Sequence, residues 1–260
     1  MAGIENFDLC DWIRKAYKKF KSTTYFDRTN APVREQIIHF ESSPDWCTPS
    51  DPEECFQKMA KALLSADESE WSRYQDSIVQ RIQAFCYPKE LKVEKEPQFY
   101  TTAKQHSVCV ERLQYMIDMP VEGHILGTLW ILLFGYQIDQ NLYERTYGNR
   151  IRKTLYNDLT EGPTYSPHLF EPYFQQYQSW RDTALEDAQK CVQQDCDVVV
   201  LTLDLARYFY SLDVTPAVMK QVLYEIKKPE EQEPLAKRLS LFIAEVCRVY
   251  ARRLPKSECE

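Results

Sequence analysis

Six consecutive residues, Val198-Val199-Val200-Leu201-Thr202-Leu203, lead straight into a carboxylate, Asp204. A short run of β-branched and aliphatic residues reads as a buried strand. The next residues, Leu205-Ala206-Arg207-Tyr208-Phe209-Tyr210-Ser211-Leu212-Asp213, form a dense aromatic turn. A carboxylate delivered by a buried strand is costly unless it is paired or holds a metal. The segment therefore asks for a cation, and that requirement constrains the chain more than any other feature.

Composition removes several alternatives. A chain of 260 residues can bury a substantial core as one large domain or two smaller ones. It carries only six glycines, with no GxGxxG and no GxxxxGK[ST] pattern, so a Gly-rich phosphate loop is not expected. Nine cysteines include no CxxC pair, and no signal peptide precedes Cys10, which points to free thiols in a reducing cytoplasm. The longest apolar stretch, Ile125 to Phe134, is too short to span a bilayer and reads as a buried helix, so no membrane partner is expected. A net charge of −7 does not favour nucleic acid, but it hides two basic patches. One is Arg14, Lys15, Lys18, Lys19, Lys21 and Arg28; the other is Arg145, Arg150, Arg152 and Lys153.

Apolar periodicity predicts helices over 6–21, 32–41, 55–66 and 70–86, with a Pro-, Ser- and acid-rich loop at 42–54 and a connection at 88–104. Residues 108–143 read as two helical pieces broken near Met119-Pro120. The clearest amphipathic spacing lies in 171–193, where Tyr173, Tyr177, Trp180, Ala184, Ala188 and Cys191 recur at steps of three and four. Thr215 followed by Pro216 reads as an N-cap with proline at the first helical position, opening a helix through about Lys227. The pattern is α+β, helix-rich with few strands. The four histidines are scattered, with none at zinc spacing to a cysteine, and no Gly-x-Ser-x-Gly elbow is present. Asp195 and Asp197 read as loop acids.

The pattern apolar–Asp–apolar–x–x–Tyr–Phe–x–Ser–Leu at 203–212 closely resembles motif A of reverse transcriptases, of the retron, group II intron and phage-defence kinds. The resemblance implies that Asp204 binds catalytic Mg²⁺ together with the carbonyl of Leu205. It implies that Phe209, with Tyr208 beside it, packs against the incoming sugar and excludes a 2′ hydroxyl. Upstream, Tyr147-Gly148-Asn149-Arg150 with Arg152 and Lys153 sits where this family places a basic fingers segment. Forked guanidinium donors suit phosphate, so Arg150 and Arg152 are expected at the triphosphate, and Arg145 and Lys153 at the nucleic acid. The helix over 173–181, the segment Ala16-Tyr17-Lys18-Lys19-Phe20-Lys21 and the pair Phe40-Glu41 resemble the defence-associated, abortive-infection-like subset.

What the resemblance implies is a right-hand polymerase: a helical N-terminal extension over 1–105, a fingers-like region over 106–197, and the first part of a palm over 198–260. The implied activity is RNA-directed DNA synthesis in antiviral defence, with an RNA template, dNTPs, and a non-coding RNA or second polymerase subunit as partners. One departure is plain. The family completes its metal site with a Tyr-x-Asp-Asp further along, and this sequence contains no Asp-Asp dipeptide. The chain is therefore expected to be the N-terminal part of a longer polymerase, inactive alone. The rival expectation is a non-catalytic nucleic-acid-binding or regulatory protein that keeps the polymerase shape.

Overall fold

The apolar stretch after Pro120 becomes the centre of the molecule. A computed structural model describes residues 8–26, 30–42, 51–92, 109–152, 168–203, 213–226, 228 and 230–253. Four helices lead: α1 (Leu9–Phe26), α2 (Ala31–Glu41), α3 (Glu53–Leu64) and α4 (Glu68–Val79). An antiparallel ribbon follows, β1 (Gln83–Lys92) and β2 (Cys109–Asp118). Then come α5 (Val121–Trp130), a π-helical turn (Ile131–Gly135) and α6 (Tyr136–Gln140). The described elements close with α7 (Tyr173–Gln193), α8 (Pro216–Glu225), a 3-10 turn (Glu230–Gln232) and α9 (Glu233–Arg253). Helices dominate beside one small antiparallel sheet, an α+β composition.

Local chemistry explains where several helices begin. Asp67 caps α4 by accepting from the Ser69 N–H at 2.8 Å. Thr215 caps α8 by accepting from the Val218 N–H at 3.2 Å, with Pro216 in the first turn as expected. The core itself draws on nearly every helix. Ile13 and Ala16 of α1, Met59 and Leu63 of α3, Ile125 and Leu129 of α5, and Leu239 and Phe242 of α9 are buried in one cluster. Residues from all three expected segments, 1–105, 106–197 and 198–260, share that cluster. Tyr17 packs its ring against Phe40 and Phe56 (5.5 and 5.4 Å) and donates its hydroxyl to Glu41 at 2.5 Å. Burial works against the Glu41 carboxylate, but hydrogen bonds from Lys21 and Tyr17 hold its pKa below the ordinary value.

Polar groups on α9 tie the early helices together. Arg238 is buried and donates from Nη1 to the Leu63 carbonyl at 2.8 Å and from Nη2 to Glu68 Oε1 at 2.8 Å. The end of α3 and the start of α4 are thus held by one guanidinium. Ser240, also buried, accepts from Trp130 Nε1 at 2.8 Å. The Tyr250 hydroxyl donates to the Tyr115 carbonyl at 3.3 Å and anchors the ribbon to α9.

Three expectations need correction. The helix expected over 70–86 ends at Val79, and residues 83–92 form a strand instead. Likewise the first of the two helical pieces expected over 108–143 is β2, although the break near Pro120 and the buried helix after it are found. Pairing between Gln83 and Asp118, 35 positions apart, outweighs local helical spacing. Pro88 fits because a two-stranded ribbon has an open edge on each strand, and the register slips beside it. The strand expected at 198–203 is irregular and exposed: Val199 retains 93% and Leu203 79% of its accessible surface. No described element lies alongside to accept its backbone hydrogen bonds, and an unpaired segment cannot be a strand.

His124 on α5 makes a measurable consequence of this packing. Its ring stacks on Phe20 at 4.7 Å and 9°. Burial pushes its pKa from 6.5 down to about 4, against the opposing pull of a hydrogen bond with the Met119 backbone. The folded state keeps the ring neutral while the unfolded chain protonates near 6.5, so stability is lost as pH falls from 6.5 to about 4. The loss amounts to about 3 kcal/mol. Urea-unfolding midpoints measured at about pH 7 and about pH 4.5 should converge in His124→Phe, which keeps the stack; an unchanged difference would refute the assignment.

Candidate functional site

The basic turn is organised around a carboxylate just past the apolar stretch that ends at Phe134. Asp139, buried on α6, accepts from Arg150 Nε at 3.0 Å, from Arg150 Nη2 at 3.3 Å and from the Ile151 N–H at 3.1 Å. The same guanidinium donates to the carbonyls of Thr146 and Asp139, both at 3.0 Å. Asn149 takes a left-handed backbone, φ 43°, which asparagine tolerates better than most residues. The loop from 141 to 151 is therefore folded around one ion pair. Ile151 then bridges Phe170 in antiparallel fashion. The Arg152 N–H donates to the Leu169 carbonyl at 3.1 Å and the Glu171 N–H to the Arg150 carbonyl at 2.8 Å.

Two further contacts fasten the turn to α7. Arg145 pairs with Asp187, and the Tyr147 hydroxyl donates to Thr183 Oγ1 at 3.0 Å. The pairing holds the Asp187 carboxyl below its ordinary pKa and raises Arg145 further. α7 is the helix expected from its spacing, yet none of its residues is buried. Tyr173, Tyr177 and Trp180 form a ladder one turn apart, with centroids 6.1 and 5.6 Å apart, and all three rings remain exposed. Past α7 the chain enters the exposed segment 198–203.

The structure thus gathers Arg145, Arg150 and Arg152 into one loop against the base and side of α7. Asp204, Leu205, Tyr208, Phe209 and Lys153 lie outside the described residues. The donors of Arg150, expected at the triphosphate, meet Asp139 and backbone carbonyls in this structure. The reason is electrostatic, because a carboxylate buried at Asp139 requires a cation at contact distance. The Arg145–Asp187 pair is exposed, weak and screened by salt, so of these two arginines Arg145 is the easier to redirect to an anion. Among the described residues, no group of three or more His, Cys, Asp or Glu side chains is placed to hold a metal ion, so no described ligand set fits Mg²⁺. Among the described residues, too, no helix is long and apolar enough to cross a membrane. Sequence reasoning missed Asp139 and Asp187 as partners. Asp139 was detectable in principle, as a lone acid just past the apolar stretch that ends at Phe134.

The buried pair gives a direct expectation. Asp139→Ala removes the carboxylate partner of the partly buried Arg150, leaving it only the carbonyls of Thr146 and residue 139, and should destabilise the fold by about 2 kcal/mol. Replacing both, Asp139→Ala with Arg150→Leu, should cost clearly less than the sum of the single changes. Additive losses in a denaturant-unfolding cycle would show that the two side chains do not act as a pair.

No family model matches this sequence, and no match to it was found among curated proteins or among solved structures.

Proposed function

We propose that the chain is part of an RNA-directed DNA polymerase of the bacterial defence-associated reverse transcriptase kind. The observation that carries the reading is the run from 198 to 213, an apolar strand sequence delivering Asp204 into Leu205-Ala206-Arg207-Tyr208-Phe209-Tyr210-Ser211-Leu212. The exposure of that run supports it. Among the described residues nothing covers this uncharged segment, with Val199 at 93% exposure, and a neighbouring strand would cover it as a palm sheet would.

In this reading Asp204 and the Leu205 carbonyl are ligands of Mg²⁺, which when bound neutralises charge on the transferring phosphate. Phe209, with Tyr208, walls the sugar site and favours deoxyribose. Arg145, Arg152 and Lys153 present positive charge to the triphosphate and the RNA backbone, and Arg150 holds their loop in shape through Asp139. A non-catalytic nucleic-acid-binding role is the second reading, favoured by the commitment of Arg150 to structure.

Expressed from its complete gene, the protein should incorporate dNTPs on an RNA template, and Asp204→Ala should abolish incorporation while leaving the fold intact. Phe209→Ala should admit ribonucleotides more readily. Undiminished synthesis by Asp204→Ala would sink the polymerase assignment. RNA binding without synthesis by the unaltered protein would establish the second reading.

A further inference from the structure

The C-terminus of α7 carries two exposed thiols, Cys191 and Cys196, and the turn between them has a defined geometry. The Cys196 N–H donates to the Cys191 carbonyl at 3.1 Å, and the Asp195 N–H to the Val192 carbonyl at 3.0 Å. Asp195 sits in the left-handed region, φ 60°. These three features together define a Schellman turn, in which the residue three from the helix end and the second residue beyond it are brought side by side. Apolar side chains normally meet at those two positions. Here both are cysteines. A single backbone hydrogen bond between them places the two Cα atoms within the span that a disulfide bridges, about 4.4–6.8 Å.

From this geometry we propose that Cys191 and Cys196 form a dithiol that closes reversibly into an intrahelical-turn disulfide. The oxidant is a small-molecule disulfide of the glutathione class. One cysteine thiolate attacks a sulfur of the oxidant and expels a free thiolate, leaving a mixed disulfide. The second cysteine attacks the protein-bound sulfur of that intermediate and expels the other thiolate. Two protein thiols are oxidised, one external disulfide is reduced to two thiols, and both protons pass to the departing thiolates. Closure ties the last turn of α7 to the point where the chain leaves for residues 198–203. The site is independent of the polymerase reading, since it requires neither Asp204 nor any nucleotide.

Both cysteines fall in one tryptic peptide, 191–207, between Lys190 and Arg207. The folded, reduced protein is treated with oxidised glutathione, quenched in acid, alkylated and digested. The expected main product is this peptide lighter by two hydrogens than the dithiol, unreactive to the alkylating agent and restored by dithiothreitol. In Cys196→Ser, Cys191 should instead retain a glutathione adduct. Asp195→Val places a β-branched residue in the left-handed position, so the ratio of internal disulfide to glutathione adduct should fall about tenfold. A wild-type peptide that stays an alkylated dithiol, carries glutathione, or links to another cysteine such as the exposed Cys86 would overturn the proposal. An unchanged ratio in Asp195→Val would equally overturn the role of the turn.

Discussion

Arg238 is the residue on which the architecture turns. A guanidinium buried this deeply needs acceptors, and its two terminal nitrogens find them in the carbonyls that end α3 and in the carboxylate of Glu68 at the start of α4, while Nε has no partner among the described residues. The helix carrying it, α9, lies in the last thirty residues of the chain, while its partners lie in the first seventy. This one contact therefore requires the N-terminal helices and the C-terminal helix to form together. Trp130 and Ser240 repeat the arrangement between α5 and α9. With α9 locked in this way, α5 packs against both it and α1, and the aromatic cluster of Tyr17, Phe40 and Phe56 ties α1 to α2 and α3.

The elements of the candidate site lie at the edge of that core, and Ile151 and Leu169 enter it. Besides that apolar contact, the ribbon and the basic turn are attached to the helical body through a few polar links. These are Tyr250 to Tyr115 for the ribbon, and Asp139 to Arg150 for the turn. The turn in turn holds α7 through Arg145 and Tyr147. The buried pair in this series is structural and the exposed one is adjustable, because desolvation makes the first costly to break and leaves the second screened by water. A loop of three arginines is thus divided, with Arg150 holding the conformation and Arg145 left at the surface.

The parts of the fold that were legible in sequence are those decided locally. Thr215-Pro216 announces α8 because capping needs only neighbouring residues, and the run from Ile125 announces a buried helix because nothing polar interrupts it. The ribbon was not legible, because Phe85 and Met116 become partners only through pairing across a long separation, and each strand alone has helical spacing as good as its alternation. Arg150 shows the same limit at the site. Its residue type signals a bound anion, but only the fold reveals that the anion is Asp139. On α7 the periodicity is correct and the inference of burial from it is not. A stripe at helical spacing records that a face is apolar and says nothing of what covers it.

Segment 198–203 extends that argument to the carboxylate at its end. Strand is a property of a pair of segments, since each backbone N–H and C=O needs a counterpart, whereas helix is satisfied within one. Val198 to Leu203 has the composition of a buried strand and, among the described elements, no neighbour to pair with, so it stands as an exposed coil. In the polymerase reading proposed for this chain, a metal ligand at Asp204 would need that segment held rigidly by a neighbour. In that reading, coverage of 198–203 and completion of a cation site at Asp204 would be one event. An added strand would supply both hydrogen bonds for the segment and, in that reading, the place from which further carboxylates would reach Asp204.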